Sequence, residues 1–100
     1  LVIPKERKAR LHELSPESGA ALGAALVHVA QAAVRATGSS DYNVLQNNGA
    51  DAHQAVFHVH FHIIPKPDPR SGLGLGWPAR KLEDASAKTM VASIRGNLEG

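Results

Sequence analysis

Three of the chain's six histidines fall on alternate positions of one apolar segment, His58-Val59-His60-Phe61-His62-Ile63-Ile64. In extended chain, successive side chains point to opposite faces. His58, His60 and His62 are therefore predicted to share one face. Phe57, Val59, Phe61 and Ile63 share the other, where they can enter a core. At about 3.3 Å rise per residue, neighbouring histidines start roughly 6.6 Å apart, so their rings can converge on one small anionic group. A lone strand histidine is most often a packing residue; three at this spacing point to a site.

Imidazole is largely neutral near pH 7, and the neutral ring is a nucleophile. Attack on phosphorus would form a phosphorus–nitrogen bond and split one difficult displacement into two easier ones. A neighbouring imidazole could donate to the phosphoryl oxygens or protonate the leaving group. That scheme requires no cofactor and no metal. The alternative is a metal-dependent site: two strand histidines could share a zinc ion, with His53 or Asp51 as a third ligand. No metal-ligand spacing fixes either of those two.

The elements that must position these rings are legible around them. Leu1 to Ile3 reads as a strand stopped by Pro4, and Lys5 to His12 as a charged, solvated turn. Ser15-Pro16-Glu17 is a helix start: a cap, a proline suited to the first helical position, and an acid at the positive end of the dipole. Leu22, Leu26, Val29 and Ala33 then form one apolar stripe, and Gly38 is a stop. The spacing predicts a helix over 16–37. Tyr42 to Gln46 is a short strand and Asn47 to Asp51 a turn. The triad strand is placed at about 54–64 and ended by Pro65, Pro67 and Pro69. A second helix is placed at about 81–98. Strands mixed with two helices and no βαβ rhythm give an α+β fold in one domain, 1–100.

Other features carry less. Gly72-Leu73-Gly74-Leu75-Gly76 lacks the Gly-Lys-Ser/Thr ending of a phosphate loop and reads as a flexible connection. Ser15 and Ser18 have no base motif beside them, and His12 and His28 read as surface or packing residues. The chain has 100 residues, 43% apolar and 20% charged, with a net charge of +2. That balance fits one small globular domain and supplies no Lys/Arg stripe for nucleic acid. There is no cysteine, which excludes disulfides and thiolate metal sites. The longest apolar run, Ala20 to Ala30, is broken by Gly23 and His28 and is too short to span a bilayer. No secretory signal opens the chain, and the expected location is cytoplasmic or nuclear. The opening on an apolar strand, with no initiator Met, leads us to expect a start inside the domain.

His58-Val59-His60-Phe61-His62-Ile63-Ile64 resembles the His-x-His-x-His-x-x signature of the histidine triad (HIT) family. Asn47 to Val56 resembles the segment that precedes the triad in its Hint branch. Leu1-Val2-Ile3-Pro4-Lys5 and Trp77-Pro78 are similar to further family segments. The resemblance covers most of Leu1 to Pro78. It implies an antiparallel sheet with one long helix packed on it and a C-terminal helix. It further implies a homodimer that binds purine nucleoside monophosphates and hydrolyses AMP–amine or AMP–lysine phosphoramidates. Carried over by position, His60 would be the nucleophile, His62 would contact the phosphoryl oxygens and His58 would orient its neighbours. Asn47 would bond the phosphate region. His53, Gln54 and Ala55 would line the nucleotide pocket, Gln54 with its backbone, and Trp77 would lie near the dimer interface. The family pattern usually has Gly at position 53 and Ser at position 55. The alternative, motivated by the start inside the domain and by Ala55, is a purine nucleotide-binding module with little or no turnover.

Overall fold

The computed structural model describes residues 1–98, so the last two residues of the expected 1–100 domain lie outside the described residues. Helix α1 spans Pro16–Thr37, as its boundary residues predict. Ser15 Oγ accepts the Ser18 backbone N–H, Pro16 occupies the first turn, and Gly38 closes the helix at φ 69°. All three are local devices that satisfy or tolerate helix-end geometry. Glu6 adds a second anchor there, its Oε1 accepting the Ser15 N–H at 2.8 Å. That bond holds the Glu6 carboxyl below its ordinary pKa.

Strands β1 (Tyr42–Leu45) and β2 (His62–Pro65) form an antiparallel pair, in register Val44 with Ile63 and Leu45 with His62. Helix α1 packs on β2. Between them lies a small core of Val2, Leu22 and Val59, with Leu14, Ala25, Leu26, Phe61 and Ile63 packed against it. By length and composition alone α1 is apolar enough to cross a bilayer, contrary to the reading of its central run. Yet its Leu22, Ala25 and Leu26 face is committed to this core.

The triad strand is shorter than expected: 54–60 is irregular, and only His62 to Pro65 runs as strand. The cause is the partner. Val2 and Phe61 form one isolated antiparallel bridge, with both N–H···O distances 2.9 Å. Pro4 follows, with no N–H to give, and a ladder cannot continue through it. The expected strand at Leu1 to Ile3 is reduced to that bridge for the same reason. In place of a ladder, residues 4–10 brace the triad segment by separate contacts. Val59 N–H donates to the Lys8 carbonyl at 2.9 Å, and His58 Nε2 lies 2.9 Å from the Pro4 carbonyl. Phe57, expected on the core face, is exposed because no strand fixes its pleat.

Beyond β2, Lys66 Nζ donates to the Ser71 carbonyl at 2.8 Å and to the Leu73 carbonyl at 3.3 Å, folding the chain back. Gly72 sits at φ +72° in this loop, where a Cβ would meet the Pro65 carbonyl oxygen at 2.5 Å. An extended segment carrying Trp77, itself 74% exposed, leads to helix α2. That helix spans Asp84–Leu98 and starts three residues later than its predicted 81, where Asp84 supplies a first-turn acid.

Candidate active site

The brace and the β2 pairing bring the three triad histidines together without a continuous strand. The His60 and His62 rings meet edge to face, centroids 5.1 Å apart. His58 and His60 line one cleft of about 180 Å³ with Leu1, Ile3 and Val56. Val59, between them, is fully buried and turns the other way. The alternation expected of the sequence therefore survives locally across 58–62.

Two main-chain contacts select the tautomers of the rings. His60 Nδ1 lies 2.6 Å from the His58 carbonyl oxygen. A carbonyl only accepts, so Nδ1 carries the hydrogen in this bond. The neutral His60 ring then has a bare Nε2. By the same argument His58 Nε2 donates to the Pro4 carbonyl, which leaves His58 Nδ1 as an acceptor. Among the described residues no three His, Cys, Asp or Glu side chains are placed to share a metal ion. The set of two triad histidines with Asp51 or His53 is therefore not assembled among the described residues.

The loop before the triad is tightly organised. Ala50–Ala52 form one turn of 3-10 helix, and His53 closes it in left-handed geometry at φ 68°. Glycine enters that region without cost, and histidine is among the residues that tolerate it. The Asn47 side chain makes only a long contact, 3.5 Å, to the His53 carbonyl. It is thus not locked into the loop. Ala55 is exposed. Gln54 is 4% exposed, and its side chain is fully engaged within the protein. Its Oε1 accepts the Gly49 N–H at 2.7 Å, and its Nε2 donates to the carbonyls of Ala9 at 2.7 Å and Val56 at 3.1 Å. The resemblance implies a role for the Gln54 backbone only. Its burial carried no periodic signal, and the partner Ala9 lies 45 positions away. Trp77 lies outside the triad cleft.

His58 and His60 thus share a cleft and His62 stands edge-on to His60, and residues 1–68 match the HIT domain. The chain belongs to the HIT domain family. This HIT chain is 46% identical over 99 residues to adenosine 5'-monophosphoramidase hnt1 of Schizosaccharomyces pombe, covering 99% of this chain and 71% of that protein. It is 41% identical over 100 residues to adenosine 5'-monophosphoramidase HNT1 of Saccharomyces cerevisiae, covering all of this chain and 61% of that protein. Among solved structures, a hypothetical protein from Leishmania major superposes with a TM-score of 0.91 at 43% identity, over 97% of this chain and 69% of that one. The α+β fold of this HIT chain is thus shared by an experimental structure of a similar sequence. The chain spans between about three fifths and seven tenths of the length of these relatives.

Proposed function

We propose that this HIT chain carries the catalytic histidines of a hydrolase acting on purine nucleoside phosphoramidates of the AMP–amine or AMP–lysine type. The observation that carries the reading is the 2.6 Å contact from His60 Nδ1 to the His58 carbonyl, which prepares the opposite nitrogen as a nucleophile. The phosphoramidase names of the two yeast relatives supply the substrate class.

In the proposed reaction His60 Nε2 attacks the α-phosphorus. The new N–P bond forms as the P–N bond to the amine breaks, and the amine leaves with a proton taken from solvent. The His60 ring is then a cation, still donating through Nδ1 to the His58 carbonyl. Hydrogen bonds strengthen when the donor is charged, so this contact stabilises the nucleotidyl intermediate more than the resting ring. Water then attacks phosphorus, the N–P bond breaks with its electron pair returning to Nε2, AMP and the neutral imidazole are released, and the second water proton goes back to solvent. His62, edge-on to His60, is suited to the phosphoryl oxygens, and His58 to holding the local chain through Pro4. Asn47, His53, the Gln54 backbone and Ala55 form the nucleotide-side wall in this reading. A homodimer with Trp77 near its interface, and a cytoplasmic or nuclear location, belong to the same proposal.

The test is release of amine from an AMP–amine phosphoramidate, with acid-quenched samples searched for nucleotide on His60. His60→Ala should lose about 10²-fold or more. Equal rates for parent and variant would refute the nucleophile. AMP binding by calorimetry with no amine release would favour a binding module instead.

A further inference from the structure

The His58 carbonyl and the Val59 N–H belong to one peptide unit, and a trans peptide is planar. Fixing the N–H direction therefore fixes the carbonyl direction. The N–H is fixed by Lys8, whose carbonyl accepts it at 2.9 Å, and the carbonyl is the acceptor for His60 Nδ1 at 2.6 Å. The aim of the triad's central ring thus depends on where residue 8 is held. No strand pairing holds it, since 4–10 is irregular. The fastening adjacent to it is at the next residue, where the Ala9 carbonyl receives Gln54 Nε2 at 2.7 Å; the other ties lie further off, from Glu6 to the Ser15 N–H and from the Leu11 N–H to Asn48.

We propose that Gln54 is a positioning residue for His60. Its buried amide fastens the 4–10 brace against the triad segment, and the brace sets the His58–Val59 peptide that orients the His60 ring. The same amide spans three pieces of chain. Its oxygen takes the Gly49 N–H of the Asn47 loop, while its nitrogen holds Ala9 and Val56. A side chain of this length with one acceptor and two donor hydrogens meets all three demands; glutamate lacks the donors, and asparagine is one methylene too short to span them. The role is distinct from pocket lining, because every polar atom of the side chain already has a protein partner and none is left for a ligand.

The catalytic consequence rests on the phosphoramidase reading above; the ring-orientation consequence does not. The experiment is Gln54→Met, which keeps length and bulk but removes the three hydrogen bonds, compared with Gly38→Ala, which strains the positive-φ stop at the end of α1 opposite the Glu6–Ser15 contact. Both are studied at low temperature, where circular dichroism shows them folded; Gln54→Asn replaces the first variant should it not fold. Nitrogen NMR of the parent should give His60 a protonated Nδ1 and a bare Nε2. Gln54→Met should convert this to a mixture of tautomers and lower kcat for amine release tenfold or more. Gly38→Ala should melt earlier with the ring pattern and kcat unchanged. A Gln54→Met protein that merely melts earlier, with the parent's ring nitrogens and kcat, would overturn the proposal. A parent that releases no amine would sink the phosphoramidase reading alone, and the ring nitrogens would still decide the role of Gln54.

Discussion

His60 donates through Nδ1 to the carbonyl of His58, two residues back along its own chain, at 2.6 Å. The donor and the acceptor are thus both triad positions, so the backbone of one histidine selects the tautomer of another. A side-chain carboxylate often does this elsewhere; here no carboxylate is used. The orienting group carries no charge of its own and does not titrate.

Substituting His58 separates its ring from its carbonyl. His58→Ala removes the Nε2 donor to Pro4 but keeps the acceptor for His60. We expect a stability loss of about 1 kcal/mol, the ordinary net worth of one hydrogen bond. Amine release should fall by roughly tenfold, less than for His60→Ala, where the scale is about 10² or more. Steady-state kinetics with denaturant melts would check it; a His58→Ala loss equal to that of His60→Ala would contradict the assignment of roles.

Val59 is fully buried between two site histidines. Val59→Ala would open a small void against Val2 and Leu22, at a cost of about 1–3 kcal/mol. For a core this small that should appear as a clear drop in melting temperature. An unchanged midpoint would mean that the core lies elsewhere.

Acid should loosen the join between the brace and α1. The Ser15 N–H, first among its neighbours, lowers the Glu6 carboxyl pKa in the fold. A group depressed in the folded state binds fewer protons there than in the unfolded chain. Its stabilisation is complete above the unfolded value, about 4.3 for Glu, and is lost as pH falls through the folded one. Asp68, lowered chiefly by the Arg70 N–H, acts with the same sign. Glu6→Gln keeps an oxygen for Ser15 but cannot titrate. Its melting temperature should therefore fall less than the parent's between about pH 5 and about pH 3.

Two glycines should respond oppositely to alanine. At Gly72 positive φ combines with a 2.5 Å approach to the Pro65 carbonyl, so Gly72→Ala should destabilise by more than about 1 kcal/mol. Gly23 lies within α1 with nothing near the added Cβ. Gly23→Ala should stabilise by about 0.5–1 kcal/mol. Chemical denaturation of both variants reads the two signs directly.

Helix α1 was legible to its last residue because its boundary chemistry is local: Ser15 caps, Pro16 starts and Gly38 stops it. The grouping of His58, His60 and His62 was legible for a similar reason, since alternation depends only on extended backbone. Strand length was not. Whether 54–60 forms a ladder depends on what lies opposite, and the segment opposite carries Pro4 and gives separate contacts. The Gln54 side chain was illegible for the same physical cause. Its partners Ala9 and Gly49 are fixed by tertiary approach and leave no trace in local periodicity.

Trp77, the chain's single tryptophan, sits in an extended connection, well outside the Val2–Leu22–Val59 cluster. Its indole is already largely hydrated in the native fold. Intrinsic emission should therefore shift little when the cluster melts. It should blue-shift when something covers residues 74–80, which makes the native fluorophore a built-in reporter of docking on that connection.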